Sequence, residues 1–145
     1  AYEGRSDWNL MKELVEFIDK RIPVFGSGDL FSPEDAKRMM EQTGVDAVMF
    51  ARGAMGNPFI FRDATSLFKN GSYEPVPAEV RIKTGFEELE RLVKDTNEQH
   101  ACLEMRKRFH AYSKGIPGGA ALRSRIVQAS TVADYHDIFD DFLSH

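Results

Sequence analysis

At 145 residues, 42% hydrophobic and 29% charged, the chain has the composition of one globular domain or two small ones, which argues against a disordered tail. A net charge of -4, one cysteine and no apolar run near bilayer-spanning length exclude a disulfide framework and a membrane helix, and a reducing, cytoplasmic setting is expected. The histidines (His100, His110, His136 and His145) fall at no zinc-holding spacing, so no metal site is expected.

Ser6 is placed to cap a first helix whose apolar positions Leu10, Leu14, Val15 and Ile18 follow helical spacing. Arg21 and Ile22 lead into the extended run PVFGSG, residues 23–28, where Pro23 suits a strand start. Ser32 opens SPED: serine is a favoured N-cap, Pro33 fits the first helical position and Asp35 completes a capping box. That helix is expected to bury Ala36, Met39 and Met40 and to stop at Gly44. Residues 46–51, DAVMFA, read as a parallel strand covered on both faces. Asn57 and Pro58 open a further helix that ends at Asn70 and Gly71. Residues 7–69 thus follow the order α-β-α-β-α, that of a parallel α/β layer.

From NGSYEPVP, residues 70–77, the pattern changes. Beyond it the chain reads as helices over about 78–98, on to Tyr112, around 122–128, and from a Thr131 cap with Asp134 completing its box. Ile82, Phe86, Leu89, Leu92 and Val93 give the first of these an inner face; Val132, Tyr135, Ile138, Phe139 and Phe142 do so for the last. The bundle core is expected to draw on Phe86, Leu89, Val93, Leu103, Phe109, Ile126, Ile138, Phe139 and Phe142. Two parallel strands do not close a barrel, which needs eight and roughly 250 residues. The chain is therefore either a piece of a larger enzyme, which is the favoured expectation, or its strands complete a sheet with another chain.

Both strands run into glycine-bearing loops. Gly28, between Ser27 and Asp29, lets backbone approach a ligand closely, and Ala51, Arg52 and Gly53 expose amides at the start of a short helix. Gly28 and Arg52 lie 24 residues apart, one βα unit, so the loops should be neighbours. Singly each glycine reads as a turn; as a pair they read as an anion site, since barrels bind phosphate between loops at a helix N-terminus. Arg52 could instead serve a salt bridge, with only its amide used. A basic island follows: Arg106, Lys107, Arg108, Lys114, Arg123 and Arg125 stand against one acid, Glu104, between His100 and Gln128. Arg106, Lys107, His110 and Lys114 recur at helical spacings and can share a face.

GSGDLFSPEDAKRMMEQTGVDAVMFARGAMGNPFIF resembles the end of the flavin barrel of tRNA-dihydrouridine synthases. EGRSDW is similar to the segment after that family's His-x-Arg-Thr motif, and RKRFHAYSKGIPGGAALR to its helical tRNA-gripping domain. Ser27 stands where the family usually has Asn, and Ala51 where it has Gly, which implies weakened side-chain contacts at a retained site. The resemblance implies an α/β plus all-α fold. Residues 1–70 would be the last strands and helices of a partial (β/α)8 barrel, 71–77 a linker, and 78–145 a small C-terminal helical bundle that binds tRNA. It implies an oxidoreductase in which NADPH reduces flavin mononucleotide (FMN) and the reduced flavin reduces the C5–C6 double bond of uridine, with a cysteine as proton donor. Ser27, Gly28, Asp29, Ala51 and Arg52 would hold the ribityl-phosphate end of FMN. Arg106, Lys107, His110, Lys114, Arg123 and Arg125 would meet tRNA phosphates, and Tyr112 would stack on an unpaired base. The family's cysteine, lysine and histidine lie in an earlier part of the barrel, so no catalytic residue is assigned, the missing N-terminal part is an expected partner, and the chain alone should be inactive. Cys102 reads as a packing residue. Other readings of the same residues are a stand-alone RNA-binding module with a vestigial barrel edge, or another FMN barrel dehydrogenase, against which the basic helical tail argues.

Overall fold

In a computed structural model that describes residues 4–144, the first helix, α1 (Trp8–Ile18), is capped by Asp7 rather than Ser6. The Asp7 carboxylate accepts the amides of Asn9 (2.9 Å) and Leu10 (3.4 Å), which leaves the Ser6 hydroxyl for another task. Glu3 of the EGRSDW segment and His145 lie outside the described residues. The chain divides into two compact units, Ala1–Glu74 and Pro75–His145. Among the described residues there are seven α-helices and two parallel strands.

In the first unit β1 (Phe25–Ser27) pairs in parallel with β2 (Ala47–Met49), Phe25 opposite Ala47 and Ser27 opposite Met49. Both strands are half the expected length. The expectation of cover on both faces is corrected: Phe25 is 69% exposed and Met49 58%, on the side away from the helices. The other side is closed by α1 and by α2 (Pro33–Thr43), around a small core of Leu30, Met39 and Val45 with Trp8, Met11 and Val15 packed against it. Gly26 lies beneath both helices, where an added Cβ would come 2.7 Å from Met39 Sδ and 2.8 Å from Met11 Sδ. The inner stripe of α1 is therefore Trp8, Met11 and Val15, spaced three and four residues apart. Leu10 and Leu14 lie one position out of phase and are exposed.

Local chemistry sets the helix ends. The Ser32–Asp35 capping box forms, with Pro33 at the first position, and Gly44 closes α2 in a left-handed conformation (φ 74°). A short 3-10 turn (Arg52–Ala54) follows β2, and α3 (Ile60–Asn70) ends on left-handed Gly71.

The second unit packs α4 (Ala78–Asp95), α5 (Glu98–Tyr112), α6 (Gly119–Ile126) and α7 (Val132–Leu143) around Ile82, Phe86, Leu89, Met105, Phe109 and Tyr135. The first long helix stops at Asp95 because Asn97 caps a new one, its side chain accepting the His100 amide at 2.9 Å. Gly85 lets α4 and α5 meet: a Cβ there would lie 2.7 Å from the Phe109 ring. Leu103, expected in the core, is 50% exposed, while Val93, Phe139 and Phe142 are half-buried. Tyr112 and Tyr135 take the central places, with Phe109 and Tyr135 ring centroids 5.5 Å apart.

Candidate anion site

Because β1 and β2 run in parallel, their C-terminal ends lie at one end of the sheet, and the loops that leave them touch. At Gly53 an added Cβ would stand 2.0 Å from the Leu30 carbonyl oxygen and 3.0 Å from Phe31 Cα, so only glycine fits between the two backbones. Arg52 donates through Nη2 to Asp29 Oδ1 at 3.1 Å, and its guanidinium stands 5.5 Å from the Phe31 ring centroid. The Ser27 hydroxyl donates to the Met49 carbonyl (3.0 Å), tying the strand ends together. Ser27, Gly28, Asp29 and Arg52 thus gather at one place, with Ala51 exposed at the head of the 3-10 turn and no side chain capping that turn.

Gly28 (φ 122°) and Asp29 (φ 54°) both take left-handed backbone conformations. The second oxygen of Asp29 accepts the Ser6 amide at 2.7 Å and the Ser6 hydroxyl at 3.1 Å. The Ser6 amide first, its hydroxyl next and Arg52 more weakly hold the Asp29 carboxyl below the ordinary carboxylate range. Asp29 therefore stays ionised, with Arg52 as its counter-charge. Beside it opens a cleft of about 540 Å³, whose lining includes Arg5, Trp8, Phe31 and Arg38. Sequence reasoning missed Ser6, Trp8 and Phe31 as neighbours of the loop. For Ser6 and Trp8 the signal was the EGRSDW segment, read for likeness and not for contact; Phe31 lay within the GSGDLFSPED stretch itself.

In the helical unit the basic island separates into two groups. Arg106 turns inward, its Nη2 donating to the Ala129 carbonyl at 2.7 Å, and Arg123 Nη1 donates to the Ser113 carbonyl at 3.1 Å. Arg125 pairs with Asp141 at 2.8 Å, and Arg108 with Glu88. Lys107 is 81% exposed, with Glu104 3.8 Å away, and His110 and Lys114 are exposed. A common outward face for Arg106, Lys107, His110 and Lys114 is therefore corrected to Lys107 and His110 on α5 with Lys114 just beyond its end. Tyr112 is also corrected. It is buried and donates to Glu88 at 2.8 Å, so it offers no face to a base; burial and Glu88 push its phenol well above the usual range. Cys102 is buried, and burial raises its thiol. Among the described residues no group of three His, Cys, Asp or Glu side chains is placed to hold a metal, and no helix is long and apolar enough to cross a membrane.

The family model for dihydrouridine synthase (Dus) matches residues 1–144. A probable tRNA-dihydrouridine synthase of Treponema pallidum is 45% identical over 143 residues, covering 97% of this chain and 42% of that protein. Probable tRNA-dihydrouridine synthase 1 of Synechocystis sp. is 32% identical over 144 residues, covering 99% of the chain and 40% of that protein. tRNA-dihydrouridine synthase B of Pseudomonas aeruginosa is 30% identical over 125 residues, covering 86% and 37%. The chain thus spans about two fifths of the length of these curated relatives.

Proposed function

The chain belongs to the dihydrouridine synthase family, and we propose that it supplies the cofactor-phosphate end and the RNA-gripping helices of an enzyme that reduces the C5–C6 double bond of uridine in tRNA. The observation that carries this reading is the meeting of the two glycine loops at one end of the sheet, with Gly53 pressed on the Leu30 carbonyl. Backbone amides at the head of an uncapped turn, beside a carboxylate already hydrogen-bonded by Ser6 and paired with Arg52, fit a phosphate. Ser27, Gly28, Asp29, Ala51 and Arg52 would hold the ribityl-phosphate end of FMN. Bound FMN supplies the hydride chemistry, with NADPH as its reductant.

The exposed Phe25 and Met49 side of the two-stranded sheet supports a barrel completed by further strands. No proton donor is assigned within the chain, since Cys102, its sole thiol, lies buried in the helical unit. Of the basic island, Lys107, His110 and Lys114 face solvent for RNA phosphates, as does Arg125 beside its partner Asp141, while Arg106 and Arg123 secure backbone carbonyls.

Joining the chain to the remaining N-terminal part of the Treponema pallidum relative tests the reading. The fusion should bind flavin and form dihydrouridine in tRNA, measured by absorbance and by nucleoside mass spectrometry. The chain alone should bind tRNA and form none. Turnover by the chain alone, or a folded, flavin-loaded fusion that leaves uridine unreduced, would overturn it.

A further inference from the structure

Ser6, ahead of α1, and Trp8, its first residue, are fastened to the β1 loop by three hydrogen bonds and to each other by a fourth. Asp29 accepts the Ser6 amide (2.7 Å) and hydroxyl (3.1 Å). The Trp8 indole N–H is shared between Ser6 Oγ (3.1 Å) and the Gly28 carbonyl (3.2 Å). Ser6 also fills the open side of Gly28, where an added Cβ would come 2.6 Å from the Ser6 side chain. Gly28 and Asp29 sit at φ 122° and 54°, a backbone shape that in a non-glycine residue needs support from outside. Through its other oxygen Asp29 passes that support on to Arg52 and the second loop.

We propose that Ser6 and Trp8 are positioning residues that hold the Ser27–Asp29 loop in its anion-receiving shape, a role that rests on the cofactor-phosphate reading. Neither side chain needs to touch the ligand. Trp8 keeps the Gly28 carbonyl turned back toward α1, and Ser6 keeps the Asp29 carboxylate engaged and away from an incoming anion. Trp8 is the chain's single tryptophan, so its emission reports directly on the loop.

Equilibrium dialysis of the chain against FMN and against riboflavin, which lacks the phosphate, tests this. The unsubstituted chain should take FMN more tightly than riboflavin. Trp8→Phe and Ser6→Ala should each lose up to about tenfold in FMN affinity, the size of one hydrogen bond, with riboflavin affinity unchanged. Ser6→Thr, which keeps the hydroxyl, should retain the preference. In the unsubstituted chain Trp8 emission should respond to inorganic phosphate and not to chloride at equal ionic strength. Equal affinity of the unsubstituted chain for the two flavins would overturn the phosphate reading itself. An FMN preference that survives in folded Trp8→Phe and Ser6→Ala would overturn the positioning role alone. Should those variants fail to fold, an FMN preference with no phosphate response at Trp8 has the same meaning.

Discussion

Single side chains at the loop junction and in the basic island differ sharply in how much room they have and what they hold. Gly53 faces the Leu30 carbonyl with no space for a methyl group, and both neighbours are backbone. Gly53→Ala should therefore part the loops and destabilise the first unit by roughly 1–3 kcal/mol. A urea titration followed by Trp8 emission reads this, and an unmoved midpoint would mean that the loops do not press on each other. In the helical unit, Arg106 satisfies the carbonyl of Ala129, which is 2% exposed, whereas the adjacent Lys107 reaches into solvent. Arg106→Gln should cost roughly 1–3 kcal/mol by leaving that carbonyl unpaired. Lys107→Gln should stay within about 0.5 kcal/mol of the parent. Equal melting temperatures for the two variants would show that Arg106 is as free as its neighbour.

At the scale of elements, the four helices of the second unit are centred on two phenols. Burial pushes the phenol pKa of both Tyr112 and Tyr135 above the usual value, with Glu88 adding to the effect at Tyr112. The Tyr135 hydroxyl donates to the Cys102 carbonyl at 2.8 Å, joining α7 to α5. The folded values lie above the ordinary phenol value of 10.0, so the stability these groups contribute is complete below that pH. Above it the unfolded chain sheds protons that the folded chain keeps, and stability falls as pH rises. Phenolate absorbance and helical circular dichroism followed together in an alkaline titration should show these tyrosines ionising only as the helices melt. Phenolate growth from both at constant helicity would contradict their burial. In this unit side-chain caps close the N-termini of α5, at Asn97, and of α7, at Thr131.

For the whole molecule the expected RNA affinity is electrostatic and small, since the basic island keeps only Lys107, Lys114 and Arg125 as exposed cations once Arg106, Arg108 and Arg123 are accounted for. Binding of tRNA by the chain should weaken with salt, with a log–log slope of roughly -0.7 to -0.9 for each phosphate neutralised. The double variant Lys107→Glu with Lys114→Glu should lower affinity at every salt concentration and leave the melting temperature unchanged. A mobility-shift series across salt checks this. Binding that ignores both salt and the double variant would mean that these cations are surface charge and nothing more.

The sequence by itself determined what is settled within one helical turn. Ser32 with Asp35, Thr131 with Asp134, and the left-handed glycines 44 and 71 mark helix ends because donor and acceptor are three or four residues apart. The order of strands and helices, and the adjacency of the two glycine loops, followed from that spacing and from parallel pairing. The tertiary structure alone decided which stripe of α1 faces inward, because Leu10 and Leu14 satisfy the helical period as well as Met11 and Val15 do. It alone decided that Arg106 reaches a carbonyl 23 residues away and that Tyr112 closes on Glu88. It also placed Ser6 and Trp8 against a loop more than a helix away. Those partners are set by which surfaces the core brings together, and no local pattern of residues carries that information.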